Sequence, residues 1–315
     1  MLFTKRQESE LITALKGRGE IPLKFVYLGE GAKKWAVVTK NRLESGGINS
    51  IETTLLKKRA LEFINTFSNF KEVNIVDIGC GDGTPCIPII EKLKEKNIPF
   101  TYVPIDISKE MLDLAVETVT TRFKGTKCKP FQLDFELGQF SDIIYNLKKE
   151  GSVNLMMFLG STLGNFSDRS RVLTNFRDSM TSDDFLIVGV ELTNFAKIDK
   201  VLTHYKGKVP EDLLYAIPEI IGMKKSDTEY SVSWNERESQ VECFAILKKN
   251  VNVHIGSEKF LLEKGERILL CRSVKFTEWV ITKLLSDTGF RTELLTTAPD
   301  RGYILSMIQP TRYSI

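Results

Sequence analysis

The chain has 315 residues, of which 42% are hydrophobic and 27% charged, and its formal net charge is +3 at pH 7. A chain of this length buries about three quarters of its unfolded surface, in one large domain or two. Because Lys and Arg are dispersed and no apolar run approaches about 18 residues, the composition supports neither nucleic-acid binding nor a membrane span or signal peptide.

The five cysteines are odd in number and lack CxxC spacing. This pattern indicates reduced thiols and a cytoplasmic location, and it argues against disulfides or a zinc site. The two histidines, His204 and His254, are too few for a histidine-ligated metal. We therefore expect a small-molecule partner, no metal, no nucleic-acid or membrane partner, and a monomer in preference to an oligomer.

The N-terminal part is predicted to be helical. Apolar residues at helical spacing predict helices over residues 7–17 and 51–68, so the first 70 residues are expected to cap the site. Between these helices, Pro22–Tyr27 and the glycine-rich Leu43–Gly47 are predicted loops. Loops over a rigid core often carry binding residues, although a plain connector is the commoner case.

Residues 73–84, with the sequence VNIVDIGCGDGT, predict a strand that ends in a glycine turn. β-branched apolar residues precede Gly79, Gly81 and Gly83, and an apolar helical pattern follows over Cys86–Leu93. Glycines let the backbone turn sharply and approach a ligand, and the helix start offers free N–H groups. This stretch is therefore predicted to bind a nucleoside or nucleotide.

The spacing of the glycines and acids distinguishes between two kinds of ligand that the turn could bind. A dinucleotide-binding turn has the pattern GxGxxG with an acid about 20 residues later. Here Gly83 comes one position early, and Asp77 lies two residues before Gly79. A cationic sulfonium nucleoside without phosphate gains from a nearby carboxylate, so this pattern favours it over a pyrophosphate. A nicotinamide-dependent oxidoreductase and a non-catalytic nucleoside-binding protein remain the alternatives.

Further acids follow the next strands. The predicted strand Phe100–Ile105 ends at Asp106 and Ile107, and Ser108 caps a predicted helix that extends to Phe123. Asp106 can bind both ribose hydroxyls, and Asp134 and Phe135 end a third short segment where an adenine would lie. A glycine turn, an acid that would bind the ribose and an acid beside the adenine follow one another along the chain. This order resembles that of a class I S-adenosylmethionine-dependent methyltransferase.

The remaining segments complete this pattern. Predicted strands at 153–159 and 185–192 alternate with helices, which indicates a mainly parallel sheet. Helices at 198–205 and 213–221 and antiparallel strands between 230 and 272 then predict an insertion, and a helix at 277–288 and a hairpin return to the sheet. The predicted fold is thus a doubly wound, Rossmann-like α/β sheet with a helical N-terminal lead-in and an inserted α+β substrate domain. The predicted segments are 1–70, 71–195, 196–272 and 273–315.

Four motifs extend the resemblance to one family. Pro104–Ser108, Leu133–Glu136, Phe158–Phe166 and Arg272–Phe276 together resemble the histidine-specific Nα-methyltransferases of ergothioneine biosynthesis and the related fungal dimethylallyltryptophan N-methyltransferases. The resemblance implies an N-methyltransferase acting on the amine of an amino acid or a derived small molecule, with S-adenosylmethionine as cofactor. The predicted cofactor-binding residues are Asp77, Gly79, Gly81, Gly83, Asp106, Ile107, Asp134, Phe135, Leu159 and Gly160.

The same resemblance implies the substrate-binding residues. Asn165 and Tyr205 would bind the substrate carboxylate, and Tyr27 would line the pocket near the amine and assist its deprotonation as the catalytic residue. Ser273 matches the family serine that binds the imidazole, whereas Cys271 replaces the family glutamate. Because an unpaired buried donor costs about 1–3 kcal/mol, an amino acid with another or a modified side chain is at least as consistent with this chain as histidine.

Other residues suited to chemistry are given packing or solvent-exposed roles. Cys80 and Cys86, which flank the glycine turn, are expected to be small packing residues. Trp234 and Trp279 are expected to pack in the core or an interface. His204, on a polar helix, is expected to be solvated rather than to act as a general base.

Overall fold

The computed structural model describes residues 2–44, 48–193 and 198–311. Contacts divide the chain into two compact units. The sheet unit comprises Lys40–Thr193 and Phe276–Ile315, and the insertion unit comprises Met1–Thr39 and Asn194–Lys275. The four-segment division from the sequence stays a prediction.

In chain order the strands are β1 Glu72–Ile78, β2 Phe100–Asp106, β3 Lys127–Cys128, β4 Phe131–Gln132, β5 Ser152–Phe158, β6 Phe185–Glu191, β7 Thr228–Asn235, β8 Gln240–Leu247, β9 Val251–Ile255, β10 Glu258–Leu262, β11 Arg267–Val274, β12 Phe290–Thr297 and β13 Tyr303–Pro310. The α-helices are α1 Lys5–Arg18, α2 Glu30–Glu44, α3 Ile48–Thr66, α4 Ile87–Glu95, α5 Lys109–Arg122, α6 Ser141–Leu147, α7 Arg169–Ser179, α8 Ile198–Thr203, α9 Lys208–Leu214, α10 Ala216–Ile220 and α11 Glu278–Asp287. Short 3₁₀ helices cover Leu23–Tyr27, Thr162–Asn165 and Lys225–Asp227.

The sheet unit is built on one large sheet with the order β12-β13-β6-β5-β1-β2-β3, and β4 also pairs with β2. β1 runs parallel to β2 and β5, and β5 runs parallel to β6. β13 is antiparallel to both β6 and β12. The chain order of the strands reverses beside β1, and in such sheets ligands bind outside the carboxyl ends of the strands at that point.

Helices cover both faces of this sheet. On β5, Val153, Leu155 and Met157 join the buried core to which α3, α4 and α5 contribute. On the opposite face, the Phe158 ring lies 4.9 Å from the ring of Phe176 on α7, between centroids. β5 is buried along its whole length, as expected for a central parallel strand with helices on both faces. The predicted doubly wound α/β fold is confirmed.

The insertion unit contains two antiparallel sheets, one of order β11-β8-β7 and the other of order β10-β9. Its first helix, α1, begins at a capping box in which the Thr4 side chain accepts from the Gln7 amide and the Gln7 side chain accepts from the Thr4 amide. It ends at Gly19 in the left-handed conformation. The helix therefore begins and ends with the expected capping signals. The antiparallel strands predicted between residues 230 and 272 are present.

Three details differ from the sequence-based expectations. The predicted loop Pro22–Tyr27 is largely a 3₁₀ helix. Helix α2 was not predicted. Its Gly31 allows close packing, since a Cβ there would overlap the Val26 carbonyl. Of the predicted loop Leu43–Gly47, the first two residues end α2 and residues 45–47 lie outside the described residues.

The expected packing roles are met with one exception. Cys80 and Cys86 are buried in the core, as predicted, and His204 is exposed. Trp279 is 70% exposed near the start of α11, so it does not pack in the core, and the other expected role, packing in an interface, stays a prediction. The apolar residues of α11 that face inward are Ile281 and Leu285.

Within the described ranges, no helix combines the length and apolar character needed to span a membrane.

Candidate active site

The glycine turn follows β1 and depends on its glycines for backbone conformation. Gly79, Gly81 and Gly83 have φ values of +65°, +53° and +73°, in the region that side-chain-bearing residues avoid. At Gly83 there is a second constraint, since a Cβ would lie 3.1 Å from both the Cα and the carbonyl oxygen of Ala115 on α5. The turn is therefore held close to α5, a packing that spacing alone does not reveal.

Asp106, at the end of β2, contacts this turn. Its carboxylate accepts from the Ser108 amide at 3.0 Å and from the Gly81 amide at 3.5 Å. Burial raises its pKa to about 6, although these amides favour the ionised form. The structure thus brings together the glycine turn and the acid predicted to bind the ribose.

Asp77 lies within the sheet just before the turn. It is 3% exposed and accepts a hydrogen bond from the Tyr102 hydroxyl at 2.8 Å. Burial raises the pKa of Asp77 to about 7, and the nearby Asp106 adds to the shift. Two buried carboxyl groups therefore meet at this end of the sheet.

The residues predicted to lie beside the adenine are on neighbouring segments. The buried Phe135 ring makes edge contacts with Phe158 and Phe166, with centroid distances of 5.7 and 5.9 Å. It also lies near the turn, since a Cβ on Gly79 would be 3.7 Å from it. The Asp134 carboxylate accepts from the Glu136 amide at 3.2 Å, and Ile107 is 8% exposed.

The residues around the turn fit a cationic nucleoside. Residues 77–91 contain three acids and neither Lys nor Arg, so this segment supplies no cation for a pyrophosphate. The glycines leave the turn without side chains, and Asp106 supplies a hydrogen-bond acceptor for hydroxyl groups. This donor and acceptor set suits S-adenosylmethionine, whose sulfonium is positive.

The loop after β5 contains the remaining predicted residues of the sheet unit. Leu159 is buried, Gly160 and Ser161 have φ values of +71° and +59°, and Asn165 ends the following 3₁₀ helix, half-buried. The Gly160 amide donates to the Glu52 carboxylate at 2.8 Å. Sequence reasoning missed Glu52, because nothing in the pattern of α3 distinguishes it from a surface acid.

In the insertion unit, Tyr205 and Ser273 share a buried cation. The Lys275 ammonium is 2% exposed and donates to the Tyr205 hydroxyl oxygen and to Ser273 Oγ, both at 3.1 Å. It also lies 5.4 Å from the centroid of the Tyr205 ring. The structure therefore joins two predicted substrate residues through a lysine that sequence reasoning did not select; its position two residues after Ser273 was the available signal.

Cys271 lies next to this cluster on β11. It pairs across the sheet with Cys243 of β8; both residues are buried, and neither is in a disulfide. A hydrogen bond with Cys271 lowers the pKa of the Cys243 thiol, and the Tyr230 hydroxyl and the Lys275 charge act in the same direction. Burial raises the pKa of Tyr230, whose hydroxyl donates to the Tyr205 carbonyl at 2.8 Å.

Tyr27, the predicted catalytic residue, ends the first 3₁₀ helix of the insertion unit. Its half-buried ring packs edge-to-face against Trp35, with centroids 5.2 Å apart and an interplanar angle of 78°. This contact fixes the ring, while its role in proton transfer stays a prediction.

Curated relatives and solved structures share partial similarity with this chain. The N-methyltransferase imqF of Aspergillus flavus is 21% identical over 262 residues, which are 76% of this chain and 68% of imqF. The 5-methylorsellinic acid synthase of Aspergillus terreus is 34% identical over 111 residues, but these are 34% of this chain and only 4% of the synthase.

Two solved structures align with most of this chain at low sequence identity. An S-adenosylmethionine-dependent methyltransferase from Clostridium acetobutylicum has a TM-score of 0.48 and 12% identity, and the match covers 89% of this chain and 99% of that one. The magnesium protoporphyrin IX methyltransferase of Synechocystis, solved with bound SAH, also has a TM-score of 0.48, with 11% identity and coverage of 91% and 98%.

The family model described as "Histidine-specific methyltransferase, SAM-dependent" matches residues 7–310, nearly the whole chain. The predicted family, enzyme class and cofactor are thereby confirmed, and the oxidoreductase alternative is set aside. The chain belongs to the histidine-specific, S-adenosylmethionine-dependent methyltransferase family, and it is an S-adenosylmethionine-dependent methyltransferase.

Proposed function

We propose that this enzyme methylates the amine nitrogen of an amino acid, or of a small molecule derived from one, whose side chain does not require a carboxylate partner. The observation that carries the proposal is the buried Lys275 ammonium, which donates to both Tyr205 and Ser273. A buried cation with two hydroxyl groups suits an anion such as a substrate carboxylate.

We propose that the cofactor binds at the carboxyl ends of β1, β2 and β5. Bound S-adenosylmethionine supplies an electrophilic methyl group on its sulfonium. Asp106 would accept from the ribose hydroxyls, Asp77 would add negative potential beneath the turn, and Asp134 with Phe135 would hold the adenine. The proposed cofactor set is Asp77, Gly79, Gly81, Gly83, Asp106, Ile107, Asp134, Phe135, Leu159 and Gly160.

For the acceptor, the protein's main task is to orient a neutral amine. Methyl transfer is an in-line displacement that needs the lone pair about 3–3.5 Å from the methyl carbon, and it needs no protein nucleophile. Asn165 and Tyr205 are proposed to bind the substrate carboxylate. Tyr27 is proposed to contact the amine and assist the loss of its proton, as a general base or through its hydrogen bond.

Cys271 supports a substrate other than histidine. In the related histidine methyltransferases a glutamate at this motif position binds the imidazole, whereas a buried thiol is a small, weakly polar group. Ser273 remains beside it, and its oxygen accepts from Lys275. With its oxygen engaged in this way, the Ser273 hydroxyl is available to donate, so this subsite suits a side chain that is apolar or a hydrogen-bond acceptor.

The test is release of S-adenosylhomocysteine across a panel of amino acids and their modified forms, with histidine included and products identified by mass spectrometry. We expect turnover with at least one amino acid, and weaker turnover with histidine. Asn165→Ala should raise the KM of the accepted amine about tenfold while cofactor affinity stays within twofold, as expected for loss of one hydrogen bond to a charged group. Cofactor binding without turnover of any primary or secondary amine would favour the non-catalytic nucleoside-binding alternative.

The cellular setting is proposed on simpler grounds. Five free thiols support a reducing, cytoplasmic location, and a monomer acting on a small molecule accounts for the proposed chemistry. The A. flavus relative is named an N-methyltransferase, which supports nitrogen as the acceptor atom.

A further inference from the structure

Two successive residues of the loop after β5 adopt the left-handed conformation. Gly160 has φ +71° and Ser161 has φ +59°. Glycine adopts this region readily, but serine does so rarely, so the surrounding structure must hold the turn in place. The turn directly precedes the 3₁₀ helix that ends at Asn165.

Glu52 and Tyr303 supply that support. The Gly160 amide donates to Glu52 Oε2 at 2.8 Å, and the Tyr303 hydroxyl donates to the same oxygen. Burial raises the pKa of the Tyr303 hydroxyl, and the nearby Ser161 amide opposes that shift. Ser161 Oγ accepts from the Glu191 amide at 2.9 Å. Glu52 therefore holds the Gly160 amide, and Tyr303, from a distant part of the sequence, holds the same carboxylate oxygen.

The sheet leaves room for this pair at Gly189 of β6. A Cβ at this position would lie 2.6 Å from both Glu52 Oε2 and the Tyr303 hydroxyl oxygen. Glu52 and Tyr303 are 1% and 0% exposed. Helix α3, strands β6 and β13 and the loop after β5 thus meet at one buried carboxyl group.

This carboxyl changes charge in the neutral pH range. Burial raises the pKa of Glu52 to about 7, although its bonds from Tyr303 and Gly160 favour the ionised form. The ionisable groups that face the pair are Tyr303 itself and, through Tyr303, Glu191. Glu52 Oε1 is buried and has no hydrogen-bond partner among the described residues, so the interactions that favour the charge are concentrated on Oε2.

We infer that Glu52 and Tyr303 are positioning residues for methyl transfer, which hold the Gly160–Ser161 turn so that the loop can present Leu159, Gly160 and Asn165 to the ligands. Ionised Glu52 holds the turn more firmly than protonated Glu52, because hydrogen bonds to a charged acceptor are the stronger ones. The support of the turn follows from the contacts alone, whereas its effect on the reaction rests on the proposed function.

The first experiment measures amide hydrogen exchange of Gly160 and Ser161 by NMR in the protein without ligand. Glu52→Gln keeps the shape but removes the charge, and Tyr303→Phe removes only the hydroxyl. We expect protection of these amides to fall about tenfold in each variant, as for loss of a bond to a charged group. The control is Ser306→Ala, on the same strand as Tyr303, whose buried Oγ has no partner among the described residues; it should leave protection unchanged.

The pH dependence of amide protection distinguishes a positioning role of Glu52 from a general packing role. After correction for intrinsic exchange, protection of the two amides should rise severalfold between pH 6 and pH 8 in the wild type and stay flat in Glu52→Gln. Asp77 and Asp106 remain in that variant, so a pH step that survives would belong to them. Unchanged protection in both variants, or an unchanged pH step in Glu52→Gln, would overturn the inference.

The second experiment measures S-adenosylhomocysteine affinity and the KM of the accepted amine in the same variants. We expect both constants to worsen about threefold to tenfold in Glu52→Gln and Tyr303→Phe, with Ser306→Ala unaffected, as one positioning interaction is lost. If protection falls but both constants stay at wild-type values, the positioning role is overturned. If the wild type binds no S-adenosylhomocysteine, the proposed function fails instead, while the exchange data still test the support of the turn.

Discussion

The glycine turn of the sheet unit and the Lys275 cluster of the insertion unit are built on different physical principles. The turn is defined by backbone conformation, with three glycines at positive φ, and a carboxylate that accepts from backbone amides. The cluster of Tyr205, Ser273 and Lys275 consists of side chains held together by one buried ammonium. A backbone site tolerates little sequence change, whereas a side-chain site can acquire a new specificity by one substitution.

The largest expected effect of a single substitution comes from adding a methyl group to the glycine turn. Gly83→Ala introduces both a left-handed alanine and a Cβ 3.1 Å from the Ala115 backbone, so it should destabilise the fold by roughly 2–4 kcal/mol. Gly125→Ala is the matched control, since Gly125 has φ +80° but nothing within 4 Å, and it should cost about 1–2 kcal/mol. Urea unfolding measures both; equal losses would show that packing against α5 adds nothing.

The next effect is a dependence of stability on pH that belongs to the buried carboxyls of the sheet unit. Burial raises the folded-state pKa of Asp77 to about 7 and that of Asp106 to about 6. Because these values exceed the unfolded ones, the stability that they contribute is full below about pH 4 and is lost as pH rises through 6 to 7. Glu52, whose pKa burial also raises to about 7, acts in the same direction. Unfolding free energy without ligand should therefore fall by roughly 3–6 kcal/mol between pH 5 and pH 8.

Asp77→Asn tests which group is responsible. The amide oxygen can still accept from the Tyr102 hydroxyl, but the group no longer ionises, so the loss between pH 5 and pH 8 should shrink by about half. Urea titrations at four pH values give the comparison, and Asp178→Asn, at a partly exposed ion pair on α7, is the control. The same slope in Asp77→Asn and the wild type would contradict the assignment.

Asp106→Ala should act on the cofactor alone. Loss of two charge-assisted hydrogen bonds to the ribose should weaken S-adenosylhomocysteine binding about 100-fold, while the KM of the amine, measured at saturating cofactor, changes less than threefold. Isothermal calorimetry and steady-state kinetics give the two numbers. An equal effect on both ligands would remove the distinction between the two regions.

Lys275→Met should give the reverse pattern with a smaller magnitude. Removing the buried ammonium leaves Tyr205 and Ser273 without their shared donor, and the amine KM should rise about 30-fold while cofactor affinity stays within twofold. Lys275→Arg keeps the charge and should restore part of the loss. If both variants impair cofactor binding as strongly as amine binding, Lys275 serves the fold and not the substrate.

Several parts of this picture were accessible from local sequence. Glycine spacing, the strand before it and the acids after successive strands are short-range patterns, and they predicted the sheet, the turn and the position of Asp106 at the end of the next strand. The cap at Ser108 was predicted in the same way, and its side chain accepts from the Met111 amide. By contrast, α2 was not predicted, and the close packing of its Gly31 against the Val26 carbonyl is visible only in the structure.

The sequence by itself determined the fold class, the family and the cofactor, because the glycines and acids that specify them are constrained by backbone geometry within a few residues. Only the tertiary structure decided that Glu52 and Tyr303, which are 251 positions apart, support the Gly160–Ser161 turn, and that Lys275 joins Tyr205 to Ser273. Hydrogen bonds of this kind depend on the packing of distant segments. The residue type alone does not show whether an acid or a lysine is buried or exposed.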